Sequence, residues 1–258
     1  MRFSLEVHSW RPGVARFAEE IVKEIEEVGA EVIADEEAVP DMILAVGGDG
    51  TMLNAVRRSL ESEVPVLGFN LGTLGFLTEA EPAELRSVIG RLVTGEYEVV
   101  ERMTVTAIAG ERSATGLNDV VVEKVDSTRL VHLEVSVDGE RFATYRADGL
   151  VIATPTGSTA YSFSAGGPLV DPRVDALVMT PVASHSLFDR SLVLPASTRI
   201  DVTVRRDRIV KVNVDKVSLG ELGEDKTVEV RRGERPVRFV SLGAQTFPQV
   251  VRDKFELD

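Results

Sequence analysis

The chain has no cysteine. That excludes a disulfide scaffold, a thiolate nucleophile and Cys-ligated zinc or iron–sulfur sites. Amides are nearly as scarce, with four Asn and two Gln, a depletion that fits pressure against thermolabile side chains. Three of the four Asn (Asn54, Asn70 and Asn118) stand beside the motifs described below, as expected of amides kept for a hydrogen-bonding task. No Gly-Lys-Ser/Thr phosphate loop occurs, and the three histidines, His8, His132 and His185, are too scattered to make a metal site. No apolar run approaches membrane-spanning length, and the first ten residues lack the apolar core of a signal peptide. The expectation is a soluble cytoplasmic protein with no membrane partner. A formal charge of −13 argues against general nucleic-acid binding. It reads as a solvated acidic surface, so local cations must counter the field around any anionic substrate. Arg outnumbers Lys 23 to 6, and its bidentate fork suits that task.

At 258 residues the chain can hold one large domain or two modest ones. Its most informative stretch is Gly47-Gly48-Asp49-Gly50-Thr51. Met42 to Val46 is a continuous apolar run, the mark of a strand buried on both faces, and Thr51 to Arg58 reads as a helix. A glycine turn there exposes backbone N–H groups at a positive helix end, which suits phosphate. An Asp in that place repels phosphate unless it has chemical work, such as holding Mg²⁺ or accepting a hydroxyl proton. The competing reading is a tight turn with Asp49 at the surface.

Strands and helices alternate through the first part of the chain. Arg2 to Val7 reads as a strand, and Val14, Phe17, Ile21, Ile25 and Val28 mark a helix face that Gly29 ends. Strands follow at Glu31 to Ala34 and Val64 to Leu67, then a helix opened by Pro82 that stops near Gly95. This order predicts a parallel sheet with ligands at the carboxyl ends of its strands, where Gly47 to Gly50 lies. Beyond about residue 100 the pattern becomes β. Val131 to Val137 alternates up to an Asp138-Gly139 hairpin turn and returns through Phe142 to Arg146. Further strands are expected at Thr198 to Arg206, Ile209 to Val214, Thr227 to Val230 and Val237 to Val240.

Other segments carry chemistry in a fixed order. Leu67 to Leu77 is a second glycine-spaced loop, Asn118-Asp119 precedes a strand, and Arg146-Ala-Asp148-Gly leads into Ala153 to Pro168 with its Thr-Gly-Ser-Thr-Ala-Tyr run. Together these segments, from about residue 42 to Pro195, closely resemble the NAD kinase family, which phosphorylates the adenosine-ribose 2′-hydroxyl of NAD to make NADP. The Gly-Gly-Asp-Gly piece alone is shared with lipid kinases and phosphofructokinases; the Asn-Asp pair with the Thr-Gly-Ser-Thr-Ala-Tyr run is highly specific.

The resemblance implies a Rossmann-like α/β domain at residues 1–100, a β-rich dinucleotide-binding domain at 101–236, and a segment 237–258 returning to the first domain. It implies NAD as substrate, ATP or polyphosphate as donor, and Mg²⁺ or another divalent cation. Asp49 would be the catalytic base, with Gly50 allowing close ligand approach. Asn54 stands where family members often have a basic residue and can still donate a hydrogen bond. Asn118 and Asp119 match the pair that contacts the nucleoside; alone they would also fit a turn. Arg129 and Arg146 match positions near the dinucleotide, an exposed strand arginine being the competing view. Asp148 resembles the nicotinamide- or ribose-side carboxylate. Thr159, Ala160, Tyr161, Ser162, Phe163 and Ser164 supply hydroxyls and a ring that could stack on a base, although Tyr161 could equally be a core residue. Ala183 matches a backbone contact. Asp215-Lys216-Val217 replaces the family's Asp-Gly-Gln, and that contact is not carried over.

Rival readings are a lipid or sugar kinase sharing only the first loop, an NADP phosphatase in the same site, and a non-catalytic dinucleotide sensor. A hydrolase triad around His185 lacks the Gly-x-Ser-x-Gly elbow. The resemblance also implies a homodimer or homotetramer.

Overall fold

The computed structural model describes residues 1–7, 12–33, 38–72, 75–243 and 245–257. The chain divides into two compact units, one made of Met1–Glu101 with Val237–Asp258, the other of Arg102–Pro236.

The first unit is built on a six-stranded sheet in the order Glu31–Val32, Arg2–Val7, Met42–Gly47, Val66–Asn70, Val237–Ser241, Glu98–Arg102. The pairings of the first five strands run parallel. Every residue of Met42–Gly47 is buried, as a central strand covered on both faces requires. Helix Pro12–Glu27 lays Val14, Phe17, Ile21 and Ile25 on a core shared with Phe3, Leu44, Phe69, Val88, Ile89 and Leu92. Val28 falls beyond the end of that helix and is 40% exposed, so the apolar face stops at Ile25. The second strand is Glu31–Val32, shorter than the sequence pattern implies; Ala34 lies outside the described residues. The helix expected from Thr51 begins at Asp49 and runs to Ser62. The cause is Gly48, an extended residue that caps it, with the Thr51 and Met52 N–H groups donating to the Gly48 carbonyl. The fourth strand, expected at Val64 to Leu67, is Val66–Asn70, so it ends three residues later and takes in the start of the second glycine loop. Pro82 opens a 3₁₀ turn, Pro82–Glu84, that feeds helix Leu85–Thr94.

The second unit stacks two six-stranded antiparallel sheets. Their facing side chains are mostly β-branched, including Val105, Val120, Val122, Val131, Val135, Ile152, Val202, Val212 and Val230, the composition a pleated core selects. The hairpin Val131–Val137 to Glu140–Ala147 turns at Asp138-Gly139, both with positive φ (50° and 84°), as a two-residue turn between twisted strands requires. The strands Arg112–Gly116, Ala176–Val182 and Val217–Leu222 had no expectation attached to them. The α/β first unit and β-rich second unit are the fold class that the sequence pattern implies.

Candidate active site

In the first unit the buried strand ends at Gly47, and Asp49 opens the helix that follows. A carboxylate in the first helical turn is favoured by the N–H groups exposed there. Asp49 is half-buried, and its two oxygens are held separately. Oδ2 accepts the N–H of Phe76 at 3.3 Å and Oδ1 the N–H of Leu77 at 3.2 Å. The second glycine loop therefore ends on Asp49. Gly75 makes that approach possible, because a Cβ there would run into Asp49 Oδ1. Gly50 is exposed on the same turn. Asn54, one helical turn on, donates its amide to Glu6 Oε1 at 3.2 Å; Arg58 lies 3.6 Å from the other oxygen of Glu6 and donates to Ser4 Oγ at 2.7 Å.

In the second unit the centre is the start of strand Asp119–Lys124. Asp215 sits in the two-residue turn between Val210–Val214 and Val217–Leu222, with a positive φ of 48°. Its carboxylate accepts the N–H groups of Leu117 (2.7 Å), Asn118 (3.0 Å) and Asp119 (3.1 Å). On the other side, Thr154 donates its hydroxyl to the Leu117 carbonyl at 2.6 Å, and the Gly157 N–H donates to the Thr154 hydroxyl at 3.0 Å. Gly157 must be glycine, since a Cβ would sit 2.6 Å from the Asn118 Cα. The backbone of Leu117–Asp119 is thus fixed by a carboxylate and a threonine, which leaves the side chains of Asn118 and Asp119 out of the cradle itself.

Asp119 is 6% exposed. Burial first, and the neighbouring Asp215 charge second, push its carboxyl up to about 7 against the opposing N–H of Tyr161. Asp215 is likewise pushed upward by burial, resisted by its three backbone N–H donors. Asp215 enters the sequence reading only within Asp215-Lys216-Val217, because the first of its donors, Leu117, lies 98 positions away in the chain.

The remaining sequence-derived residues of this unit fall around the same strands. Asp148 bridges Glu140–Ala147 and Gly149–Ala153 and pairs with Lys124 Nζ at 2.5 Å. Thr159 donates to the Thr156 carbonyl at 3.1 Å, closing the 3₁₀ turn Thr156–Thr159, and Ala160 leads into the short helix Tyr161–Ser164. Within that helix the side chains divide. Ser162 is buried and bonds Thr180 Oγ1 at 3.1 Å, whereas Tyr161 and Phe163 are each 39% exposed and Ser164 is exposed. The core reading of Tyr161 therefore does not hold. Ala183 is exposed, with a positive φ of 46°. Arg146 is exposed, and its backbone bonds Ser186 Oγ and the His185 N–H. Arg129 is exposed, 3.8 Å from Asp126, beside a cavity of about 210 Å³ that Lys124 and Arg208 also line. His132 is a buried strand residue, lowered by burial and by the charges of Arg206, Arg146 and Arg208; His8 lies outside the described residues. Among the described residues no group of three or more acidic or His side chains gathers to hold a metal.

The chain carries a Gly-Gly-Asp-Gly turn at the end of a buried parallel strand and continues into two antiparallel sheets, and both parts match a kinase family. Residues 5–97 match the ATP-NAD kinase N-terminal domain and residues 117–242 the ATP-NAD kinase C-terminal domain. The chain is 41% identical to the NAD kinase of Moorella thermoacetica over 230 residues, covering 87% of this chain and 74% of that protein. It is 41% identical to the NAD kinase of Thermococcus sibiricus over 210 residues, covering 81% and 76%. Among solved structures, yeast NADH kinase complexed with NADH superposes with a TM-score of 0.88 at 25% identity, covering 100% of this chain and 88% of that one. An Archaeoglobus fulgidus NAD kinase in complex with ATP superposes with a TM-score of 0.79 at 25% identity, covering 100% and 97%. The chain belongs to the NAD kinase family.

Proposed function

We propose that this protein is an NAD kinase that transfers a phosphoryl group from ATP, or from polyphosphate, to the adenosine-ribose 2′-hydroxyl of NAD. The observation that carries the reading is Asp49, set by Gly47 and Gly48 at the start of a helix at the carboxyl end of a buried parallel strand. The hydroxyl oxygen attacks the terminal phosphorus, the bond from that phosphorus to the bridging oxygen breaks, and the nucleoside diphosphate or shortened polyphosphate leaves. Asp49 orients the hydroxyl and takes its proton. Each Asp49 oxygen accepts one N–H from the loop, so lone pairs remain for the hydroxyl. Mg²⁺ would arrive with the donor phosphates and supply charge neutralisation.

Asn118 and Asp119 bind the acceptor nucleoside, Asn118 through its amide and Asp119 through ribose hydroxyls. Tyr161 and Phe163 offer exposed rings beside them on the same unit, Asp148 and Arg146 hold the far half of the dinucleotide, and Gly50, Ala160 and Ala183 allow close backbone approach. The test is incubation of the purified chain with NAD, ATP or polyphosphate, and Mg²⁺, read by an NADP-specific dehydrogenase. NADP formation is expected, and none with either donor overturns the reading.

The protein is also proposed to act in the cytoplasm as a homodimer or homotetramer. An acidic chain repels its own copies, so assembly should tighten as salt screens the charge. Light scattering showing an active monomer at both low and high ionic strength would reject this.

A further inference from the structure

The loop that ends on Asp49 is itself tied to the last part of the chain by two separate contacts. At one end, Glu79 Oε1 accepts three donors from the end of strand Val237–Ser241 and the two residues after it: the Ser241 hydroxyl at 2.9 Å, the Leu242 N–H at 2.5 Å and the Gly243 N–H at 3.1 Å. Nearer Asp49, the Phe76 ring packs on Phe255, with centroids 6.3 Å apart and planes tilted by 48°, and Lys254 Nζ lies 5.8 Å from the centre of the same ring. Phe76 is also the residue whose N–H holds Asp49 Oδ2. The side chain that meets the C-terminal helix and the amide that meets the carboxylate belong to one residue.

This helix adds no fully buried residue to the core. Phe247–Phe255 has no buried residue, and Phe255 is 37% exposed. Its start is nonetheless fixed by a capping box, in which the Thr246 N–H donates to Gln249 Oε1 at 2.8 Å. Phe247, Val250 and Val251 are half-buried, and the ring contact of Phe255 falls on the loop that orients Asp49.

We propose that Glu79 and Phe255 are positioning residues for the reaction: the C-terminal segment holds residues 75–80 so that the Phe76 and Leu77 N–H groups fix the rotation of the Asp49 carboxylate. The inference rests on Asp49 being the base. Two long N–H contacts, one to each oxygen, suit this purpose. They set the plane of the carboxylate without consuming its capacity to accept the substrate hydroxyl. Releasing the loop would let the carboxylate turn, and a misplacement on the order of 1 Å can cost about 100-fold in rate.

The experiment uses the full chain with NAD, ATP and Mg²⁺ and the variants Phe255→Ala and Glu79→Ala, each alone and combined with Asp49→Asn. Phe255→Tyr, which keeps the ring, and Glu79→Gln, which keeps an acceptor, are the conservative partners. Because Phe255 is partly exposed, its truncation should leave the fold intact, which calorimetric NAD-binding stoichiometry would verify. For Phe255→Ala and Glu79→Ala, kcat should fall about 10- to 100-fold while both KM values and the NAD stoichiometry stay at parent levels. Phe255→Tyr and Glu79→Gln should recover most of the loss. In the Asp49→Asn background neither Ala substitution should cost anything more, because both act through the group already removed. Unchanged or raised kcat, a KM that moves with kcat, or the same loss repeated in the Asp49→Asn background overturns the positioning role. An Asp49→Asn enzyme of normal turnover overturns the base reading instead, and the inference with it.

Discussion

Asp49 and Asp119 are both carboxylates at the junction of a β-strand with a turn, yet the two units treat them differently. Asp49 is half-buried at a helix start, with each oxygen held by a backbone N–H of a neighbouring loop. Asp119 is almost fully buried beside a second carboxylate, Asp215, and its own backbone is what the neighbour holds. The α/β unit presents a carboxyl group and restrains its direction. The β unit restrains the main chain of Asp119, whose buried carboxyl group meets the single backbone N–H of Tyr161. A reacting group needs angular control, whereas a binding group needs a fixed origin and a desolvated place in which one hydrogen bond counts. This contrast supports the proposed division between Asp49 as proton acceptor and Asp119 as nucleoside binder, and substitutions can break either side of it.

The largest effect is expected at Asp49. Asp49→Asn keeps the shape and an acceptor for one loop N–H but removes the base, and general-base loss costs about 10²- to 10⁴-fold. Turnover should collapse while NAD affinity, measured by calorimetry, stays near the parent value. Near-normal turnover would erase the distinction between the two carboxylates.

Asp215 comes next. Asp215→Ala leaves the N–H groups of Leu117, Asn118 and Asp119 without their acceptor, and each buried unmade bond costs about 1–3 kcal/mol. Thermal unfolding should drop and the KM for NAD should rise together, with the KM for ATP changing less. Asp215→Asn, which retains one acceptor oxygen, should fall between. Unchanged melting and KM in Asp215→Ala would remove the cradle from the account.

How much of this was legible in the sequence depends on how local the cause is. The Gly47–Gly50 turn and the hairpin at Asp138-Gly139 could be read because neighbouring residues alone dictate them: an apolar run, glycines and an amphipathic helix, or strict alternation around a turn pair. The helix starts two residues before the Thr51 that the apolar pattern predicts, because Gly48 caps without a side chain and leaves no sequence mark. The contact between Asp215 and residues 117–119 was not legible, since it depends on Val214 pairing with Val120 across the sheet. Nothing in the spacing announces that register. The tie between Glu79 and residues 241–243 is invisible for the same reason, being set by strand Val237–Ser241 lying parallel beside Val66–Asn70.

Smaller effects are expected at the binding side chains themselves. On the proposed assignment, Asn118→Ala or Asp119→Ala removes one or two hydrogen bonds to the acceptor, and a bond to a charged group is worth about 1.5–3 kcal/mol. The KM for NAD should therefore rise more than the KM for the donor, with kcat affected less than in Asp49→Asn. A double substitution that leaves the NAD KM unmoved would return both residues to a plain turn.

The smallest and most discriminating effect is the pH dependence of NAD binding. Burial and the Asp215 charge raise the Asp119 carboxyl to about 7 in the folded chain, against 3.8 as its ordinary value. A raised carboxyl binds its proton more tightly when folded. The stability it contributes is therefore fully present below about pH 4 and is lost as pH rises through about 7. Substrate binding should run the other way, because Asp119 accepts from ribose hydroxyls best when ionised. Between about pH 8 and pH 6 the ionised fraction falls roughly 10-fold for a group titrating near 7, so the KM for NAD should rise by up to that factor as the solution is acidified. Asp119→Asn, neutral throughout, should flatten the profile at a uniformly weaker KM. Asp49→Asn should leave the slope of the profile in place, since its carboxylate belongs to the other unit and acts on turnover. A profile that is flat in the parent, or that survives in Asp119→Asn, would show that the buried carboxylate does not meet the substrate.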